Sequence, residues 1–428
     1  MKRTLFLMTL SAALFVFSAT SFATNGDQMV GIGAYANAMG GAVTAAPYDG
    51  PSTVMNPAGL ALIGNRADTN FNVFMPRRTM DFTNAIMGAG EETMGGSNSY
   101  LIPAVGFSAP INEAKTLFFG GGMYGIAGMG TDYDVISAPA FGDIDVYTAY
   151  QFGKVVPTLA WMVNDQLAVG VALNLDMQSM NLRNGFSNYF GMGAYKINLN
   201  RSPMSIGLGG SVGAIYKVND MISVGAAYIS KQYFQDLKYR VGAGDIDLTA
   251  AGMGPQPAGT YKMNLDFPQQ FSLGVAIRPM EKLLVSLEGR YINYGSVYDV
   301  VKLDGPKSAF GGGDFDLNFG WDDMWVWSIG VEYKVNEKLA VRAGFNYGES
   351  PIEEEDVLNN LAFPAIVESH ASLGATYRLT TNWELGMTYM HAFENTIKGK
   401  NDIGPGMSSG AEIEMYQDQV DFNISYLF

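Results

Sequence analysis

Read two residues at a time, the C-terminal half of the chain separates into an apolar and a polar face. Leu283, Val285, Leu287 and Tyr291 fall on one side, and Ser286, Glu288 and Arg290 on the other. Leu339, Val341, Ala343, Phe345 and Tyr347 stand against Arg342, Gly344 and Asn346 in the same way, and Trp383, Leu385, Met387 and Tyr389 against Glu384, Gly386 and Thr388. A period of two predicts strands that face two different solvents. Tight turns punctuate the runs at Asn112-Glu113, Asn164-Asp165, Asn219-Asp220, Met280-Glu281, Asn336-Glu337 and Thr381-Asn382. Between successive tight turns lie longer stretches rich in Gly, Asp and Pro, such as 299–321 and 349–365. A soluble sandwich would turn every 8–12 residues or so and hide its apolar face in a packed core. Alternating short and long connections instead mark a transmembrane barrel, with tight periplasmic turns and longer outer loops.

The expected fold is therefore all-β: a transmembrane antiparallel β-barrel of about 14 strands, an even number that leaves both termini on the periplasmic side. Lipid cannot hydrogen-bond a backbone, so the sheet has to close, with apolar side chains outward and polar ones toward the lumen. Trp161, Tyr216, Tyr228, Trp383 and Tyr389, near strand ends, are expected in the interfacial girdles, although strand propensity alone also favours aromatics. The final segment, 421–428, puts Phe422, Ile424, Tyr426 and Phe428 on one face and resembles the terminal signal read by barrel-assembly machinery.

The N-terminus reads as an export signal: Lys2 and Arg3, an apolar run from Leu5 to Phe17, then Ser21-Phe22-Ala23, with cleavage expected before Thr24. The run is shorter than the ~20 residues of a spanning helix, and after Thr24 no stretch of ~18 apolar residues follows. Composition agrees with short strands rather than helices, with 52 Gly, 25 Phe, 23 Tyr and a mean hydropathy barely above zero. The absence of Cys from the sequence excludes a disulfide scaffold and thiolate metal sites. Loss of Lys2 and Arg3 takes the 26 basic residues to 24 against 41 acidic ones, a formal charge of −17 that argues against nucleic acid.

Little in the chain looks catalytic. Two histidines, His370 and His391, make zinc clusters of the usual spacing and Cys-His catalysis unavailable, and no metal site is expected. A Ser-His-Asn lipid hydrolase is the weakest alternative, since neither histidine has a nucleophile motif beside it. Gly31-x-Gly33 follows no predicted strand and lacks the third glycine of a dinucleotide fingerprint. The run Glu353-Glu354-Glu355-Asp356 lacks EF-hand spacing and reads as a solvated outer loop.

Residues 24–66 differ from everything after them. They are rich in Gly and Ala, lack strand alternation, and are too irregular to cross lipid alone, so they belong inside the lumen. Within them, Gly31-Ile32-Gly33-Ala34, Gly40-Gly41-Ala42, Asp49 and Asn56-Pro57-Ala58-Gly59-Leu60 resemble the hatch of FadL-type long-chain fatty-acid and aromatic hydrocarbon transporters. Ala109-Pro110-Ile111-Asn112, Met123-Tyr124-Gly125, Tyr228 with Ser230, Leu265-Asp266-Phe267-Pro268, Gly344-Phe345 with Ser350-Pro351, and Tyr389-Met390-His391 extend the resemblance along the chain.

That resemblance implies a signal peptide (1–23), a hatch (24–66) and a barrel (67–428), with passive uptake of hydrophobic small molecules into the Gram-negative outer membrane. Gly31, Gly33, Asn56, Pro57 and Ala58 would form the gate. Tyr124 and Gly125 would mark an inward strand kink, where glycine tolerates lost ladder bonds and unusual backbone angles. Asn56 is suited to bond its neighbours' backbone while Pro57 fixes φ, which makes a rigid turn. Arg183 lies near a family position that contacts a ligand carboxylate, whereas the second such position falls near Leu317, which weakens the case for a carboxylate. The stretch 184–202 is shorter than the family's helical outer loop.

Alternation also turns Arg290, Arg342, Glu368, His370, Arg378 and Glu384 toward the lumen, where opposite charges would satisfy each other and a plug's backbone. The expected partners are a hydrophobic ligand, outer-membrane lipid with lipopolysaccharide, and the assembly machinery during biogenesis, with no cofactor and the chain acting as a monomer. A general diffusion porin is the main alternative reading.

Overall fold

The structure is a computed structural model that describes residues 24–200, 203–307 and 313–428; the expected signal peptide, 1–23, lies outside the described residues. Strands β1 (Arg66–Asp81), β2 (Tyr100–Pro110), β3 (Leu117–Asp132), β4 (Gly142–Met162) and β5 (Leu167–Phe186) open the sheet. They are followed by β6 (Met204–Lys217), β7 (Ile222–Ile229), β8 (Gln270–Met280), β9 (Leu283–Ile292) and β10 (Met324–Lys334). The sheet ends with β11 (Leu339–Gly348), β12 (Ser369–Arg378), β13 (Trp383–Lys398) and β14 (Glu412–Leu427). Each pairs antiparallel with the next, and β14 returns to β1 from Leu427↔Arg66 to Glu412↔Asp81, closing a barrel of fourteen strands. β1 begins at Arg66, so the last residue of the expected hatch belongs to the wall.

The two-residue period is realised as two solvents. In β5, Val171, Leu173 and Leu175 are exposed on the outside while Asn174, Asp176 and Gln178 are buried inside. Trp161, Tyr216, Tyr228, Trp383 and Tyr389 all point outward. The tight connections fall where the turn residues sit. At 164, 219 and 336 the Asn Oδ1 accepts backbone N–H bonds from two residues just beyond it, the local bonding that suits Asn to such turns.

The outer loops depart from expectation. Within stretch 299–321, Val300–Asp304 and Phe315–Asn318 pair with each other and join Leu237–Val241 and Gly259–Met263 in a separate four-stranded sheet. Its inward residues Tyr239, Tyr261, Val301 and Leu303 are buried, so the loops carry a small core of their own.

Residues 24–65 run inside the ring. They form two two-residue strands (Thr24–Asn25 and Gln28–Met29), one short helix, α1 (Gly33–Ala38), and 3-10 turns at Pro51–Val54 and Pro57–Ala61. The helix, absent from the sequence reading, follows from Ala34, Ala36 and Ala38, and ends where Gly40 and Gly41 take left-handed angles of +61° and +86°. Nearly every residue from Thr24 to Ala61 is buried.

Candidate functional site

The lumen wall holds the N-terminal segment through backbone groups that the segment cannot satisfy by itself. Glu288 on β9 accepts from Val43 N (3.0 Å) and Thr44 N (2.9 Å) with one oxygen and pairs with Arg290 at 3.1 Å with the other. Asn70 on β1 accepts from Ala34 N at 3.0 Å and donates to Asp421 on β14 at 2.9 Å; Asp421 also accepts from Asn37 of α1. The Thr388 and Ser372 hydroxyls donate to Ala34 O and Ala38 O. Asp68 accepts from Gly50 N at 2.8 Å and holds Arg66, which in turn donates to Tyr48 O. Charge-assisted bonds of this kind are the stronger class.

Two wall glycines let the segment lie against bare backbone. A Cβ on Gly344 would collide with the Gly40 nitrogen, and one on Gly213 with the Asn56 side chain. Asn56 itself caps the turn Pro57–Ala61: its Oδ1 accepts from Ala58 N at 3.1 Å, and its Nδ2 donates to Thr44 O (2.8 Å) and Ala214 O (3.2 Å), tying the turn to the segment and to β6. Gly31 N donates to Asn37 Oδ1 at 3.1 Å, and Gly33 opens α1 with φ +87°.

One place in the wall is open. The β2–β3 ladder runs from Pro110↔Phe118 to Ala104↔Tyr124 and ends, while β3 continues to Asp132. Beyond Tyr124 the β3–β4 register shifts between Gly125 and Ala127, and Ala127 takes Gln28 of the N-terminal segment as a partner. Gly128 N donates to Asp27 O at 3.1 Å. The segment's first residues are thus stitched onto β3 where β3 parts from β2.

Against that junction lies a cavity of about 30 Å³, lined by Asp27, Met129, Tyr150, Met180, Leu265, Tyr298, Phe319, Trp321 and Phe363. A larger outer cavity of about 230 Å³, lined by Leu182, Phe186, Tyr189 and Leu317, shares Phe319 with it. Asp27 is fully buried; its Oδ1 lies 2.9 Å from the Tyr294 hydroxyl and its Oδ2 accepts from Tyr298 at 3.1 Å. Burial pushes the Asp27 carboxyl up to about 7, with the two tyrosine hydroxyls pulling the other way. Below the cavity on the same face of β4, Lys154 pairs with Asp176 at 4.0 Å and lies over the Phe152 ring.

The six expected lumen charges do not form one network. Arg290 joins Glu288; Arg342 joins Glu332 at 2.8 Å and covers the stacked rings of Tyr35 and Tyr48; Arg378 and Arg66 flank Glu384 at 2.7 and 3.7 Å. His370 is buried near Gln417, Arg378 is half exposed at a turn, and Glu368 accepts from Ser350 N in the outer loops. Arg183 has to be corrected. Leu182 faces the lumen, so the neighbouring residue faces outward, and Arg183 pairs there with Asp145 at 3.4 Å and covers Tyr147, away from either cavity. His391 also lies on the outward side, bonded through Nδ1 to Asp418 at 2.8 Å.

The sequence reading missed Asp27, Tyr294, Tyr298 and Trp321, whose meaning comes only from assembly across the lumen. Glu288 was visible on the polar face of its strand, but its backbone partners were not.

Residues 11–425 match the sequence model of a family described as "Outer membrane protein transport protein (OMPP1/FadL/TodX)". Outer membrane protein P1 of Haemophilus influenzae is 25% identical over 201 residues, covering 45% of this chain and 38% of that protein. The 47 kDa outer membrane protein of Pasteurella multocida is 24% identical over 233 residues, covering 52% and 50%. The chain therefore spans half or less of these curated relatives. Among solved structures, the toluene transporter TodX of P. putida aligns with a TM-score of 0.69 at 20% identity, covering 93% of this chain and 99% of that one. The Ralstonia pickettii toluene transporter TbuX aligns with a TM-score of 0.70 at 20% identity over the same shares. At such identity the likeness establishes the fold.

Proposed function

Because this chain belongs to the "Outer membrane protein transport protein (OMPP1/FadL/TodX)" family of Gram-negative outer-membrane barrels, we propose that it admits small hydrophobic molecules passively, holding them in the apolar cavity and releasing them sideways where β3 parts from β2. One observation carries this reading: the cavity, the first residues of the N-terminal segment and the end of the β2–β3 ladder meet at one place. A molecule that leaves water for the outer cavity gains about 25 cal/mol per Å² of buried apolar surface. Met129 and Met180, unbranched and adaptable, make room for a ring in an inner cavity of about 30 Å³ at rest. Residues 24–65 act as the hatch, with Gly31, Gly33 and Asn56-Pro57-Ala58 shaping it, and movement at Gln28 opens the path along Tyr124-Gly125. Outer-membrane lipid and lipopolysaccharide surround the apolar belt, and the assembly machinery reads Phe422 to Phe428. Free diffusion of polar solutes would need the lumen that residues 24–65 occupy.

A chain with no native cysteine permits a clean test. Gln28→Cys with Ala127→Cys places thiols on register partners, within reach of a disulfide. Toluene uptake by cells carrying the oxidised double variant should fall to the level of cells lacking the gene and return on reduction. Uptake at the wild-type rate with the crosslink formed would reject the moving hatch. Large steady ion currents from the intact protein in planar bilayers would favour the porin.

A further inference from the structure

The polar hydrogens around the inner cavity are already spent. Trp321 Nε1 donates to Asn360 Oδ1 at 2.7 Å, Tyr150 to Gln178 Oε1 at 3.2 Å, and Tyr298 to Asp27 Oδ2 at 3.1 Å. Tyr294 has one hydroxyl hydrogen and two acceptors, Asn25 O at 2.7 Å and Asp27 Oδ1 at 2.9 Å. That hydrogen is shared between the two acceptors, the hydroxyl oxygen accepts from Asp27 N at 3.2 Å, and burial holds the Asp27 carboxyl at about 7. What remains toward the cavity is acceptor capacity on the Asp27 oxygens. No Lys or Arg is among the described residues that line it, and Lys154, lower on β4, already faces Asp176. The rest of the lining is Met129, Met180, Leu265, Phe319 and Phe363.

Resting on the transport reading above, we propose that the inner cavity is a selective site for neutral aromatic molecules bearing a hydrogen-bond donor, such as a phenol hydroxyl given to Asp27, and that it rejects aromatic carboxylates. A carboxylate brings only acceptors to a wall that offers only acceptors, and enters without the hydrogen bonds that replace its water. An ammonium carries donors but has to bury its charge in an apolar chamber, with the buried Asp27 carboxyl as the one acidic group among the described residues lining it. A phenol loses little, because its ring replaces apolar contacts and its one donor meets a vacant lone pair.

The test is calorimetric titration of the full chain in detergent with four molecules of one shape: p-xylene, p-cresol, 4-methylbenzylamine and 4-methylbenzoate. p-Cresol should bind about ten-fold tighter than p-xylene, the benzylamine more weakly than p-cresol, and the benzoate not measurably. Asp27→Asn keeps an acceptor and a donor and should preserve the preference, while Asp27→Leu should erase it. If Asp27→Leu does not fold, the wild-type ranking alone decides. p-Xylene binding as tightly as p-cresol, the benzylamine binding tightest, or the benzoate matching p-cresol overturns the selectivity. Cells that take up p-xylene and p-cresol while the protein shows no preference leave the transport reading standing. Cells that take up neither remove both.

Discussion

The two halves of the lumen are made of different chemistry. From mid-barrel to the tight-turn end, the N-terminal segment meets Glu288, Asn70, Asp421, Asp68 and Glu384, each bonded within it or to residues that grip it, and glycines where backbone meets backbone. Toward the outer loops the segment's first residues share a cavity with Met129, Met180, Phe319 and Phe363, with Gln28 paired to β3 and Asp27 held by two tyrosines. Ionic hydrogen bonds demand fixed geometry, whereas methionine and aromatic contacts tolerate rearrangement. On the proposed transport function, the difference separates a part that stays plugged against ions from a part that yields to a ligand, and local stability is expected to follow it.

Glu288→Ala should break the firm half most severely. The change leaves Val43 N, Thr44 N and the Arg290 guanidinium without their shared partner in a buried site, at a cost of about 3–5 kcal/mol. Urea unfolding of the refolded protein measures it. Met180→Leu, a change of similar volume in the soft half, should cost under about 1.5 kcal/mol. Equal losses from the two would mean that the halves are held alike.

Gly344→Val tests the close fit rather than the charges. Its Cβ would strike the Gly40 nitrogen, an obstacle that no side-chain rotation relieves, so residues 38–41 have to shift. We expect a loss of about 1–3 kcal/mol, with protease cleavage appearing near Gly40 before the barrel unfolds. A variant with wild-type stability and no new cleavage would show that the wall has slack there.

The wall was legible in the sequence because a period of two assigns every side chain to lipid or lumen. Arg342 and Glu384 came from that rule, and the same rule, applied through Leu182, turns Arg183 outward against what family resemblance implied. Asn56-Pro57 was legible because its chemistry is local. Asp27 was not, since its hydroxyl partners lie 267 and 271 residues away, just before and at the end of the short helix Gly295–Tyr298, and its own neighbourhood has no periodicity. The outer sheet was hidden for the same reason: its strands come from distant loops and pair only after the barrel has brought them together.

Proton linkage gives the smallest effect and the most local one. The Asp27 carboxyl, ordinarily near 3.8, is raised by burial to about 7, so the folded state holds a proton that the unfolded chain releases earlier. The stabilisation is fully present below about pH 4 and is lost as pH rises through about 7. Asp49 is raised to about 6, by burial and then by the charge of Asp68, against the pull of Arg66, but it acts on the firm half. Hydrogen exchange separates the two by position. After correction for its intrinsic pH dependence, protection at residues 24–29 should drop roughly ten-fold, or about 1.4 kcal/mol, between mildly acidic and mildly alkaline buffer. Asp27→Asn should flatten that slope, because an amide has no proton to lose in this range. A slope that survives the substitution would show that the proton on Asp27 does not hold the leading end, and that the soft half owes its looseness to packing alone.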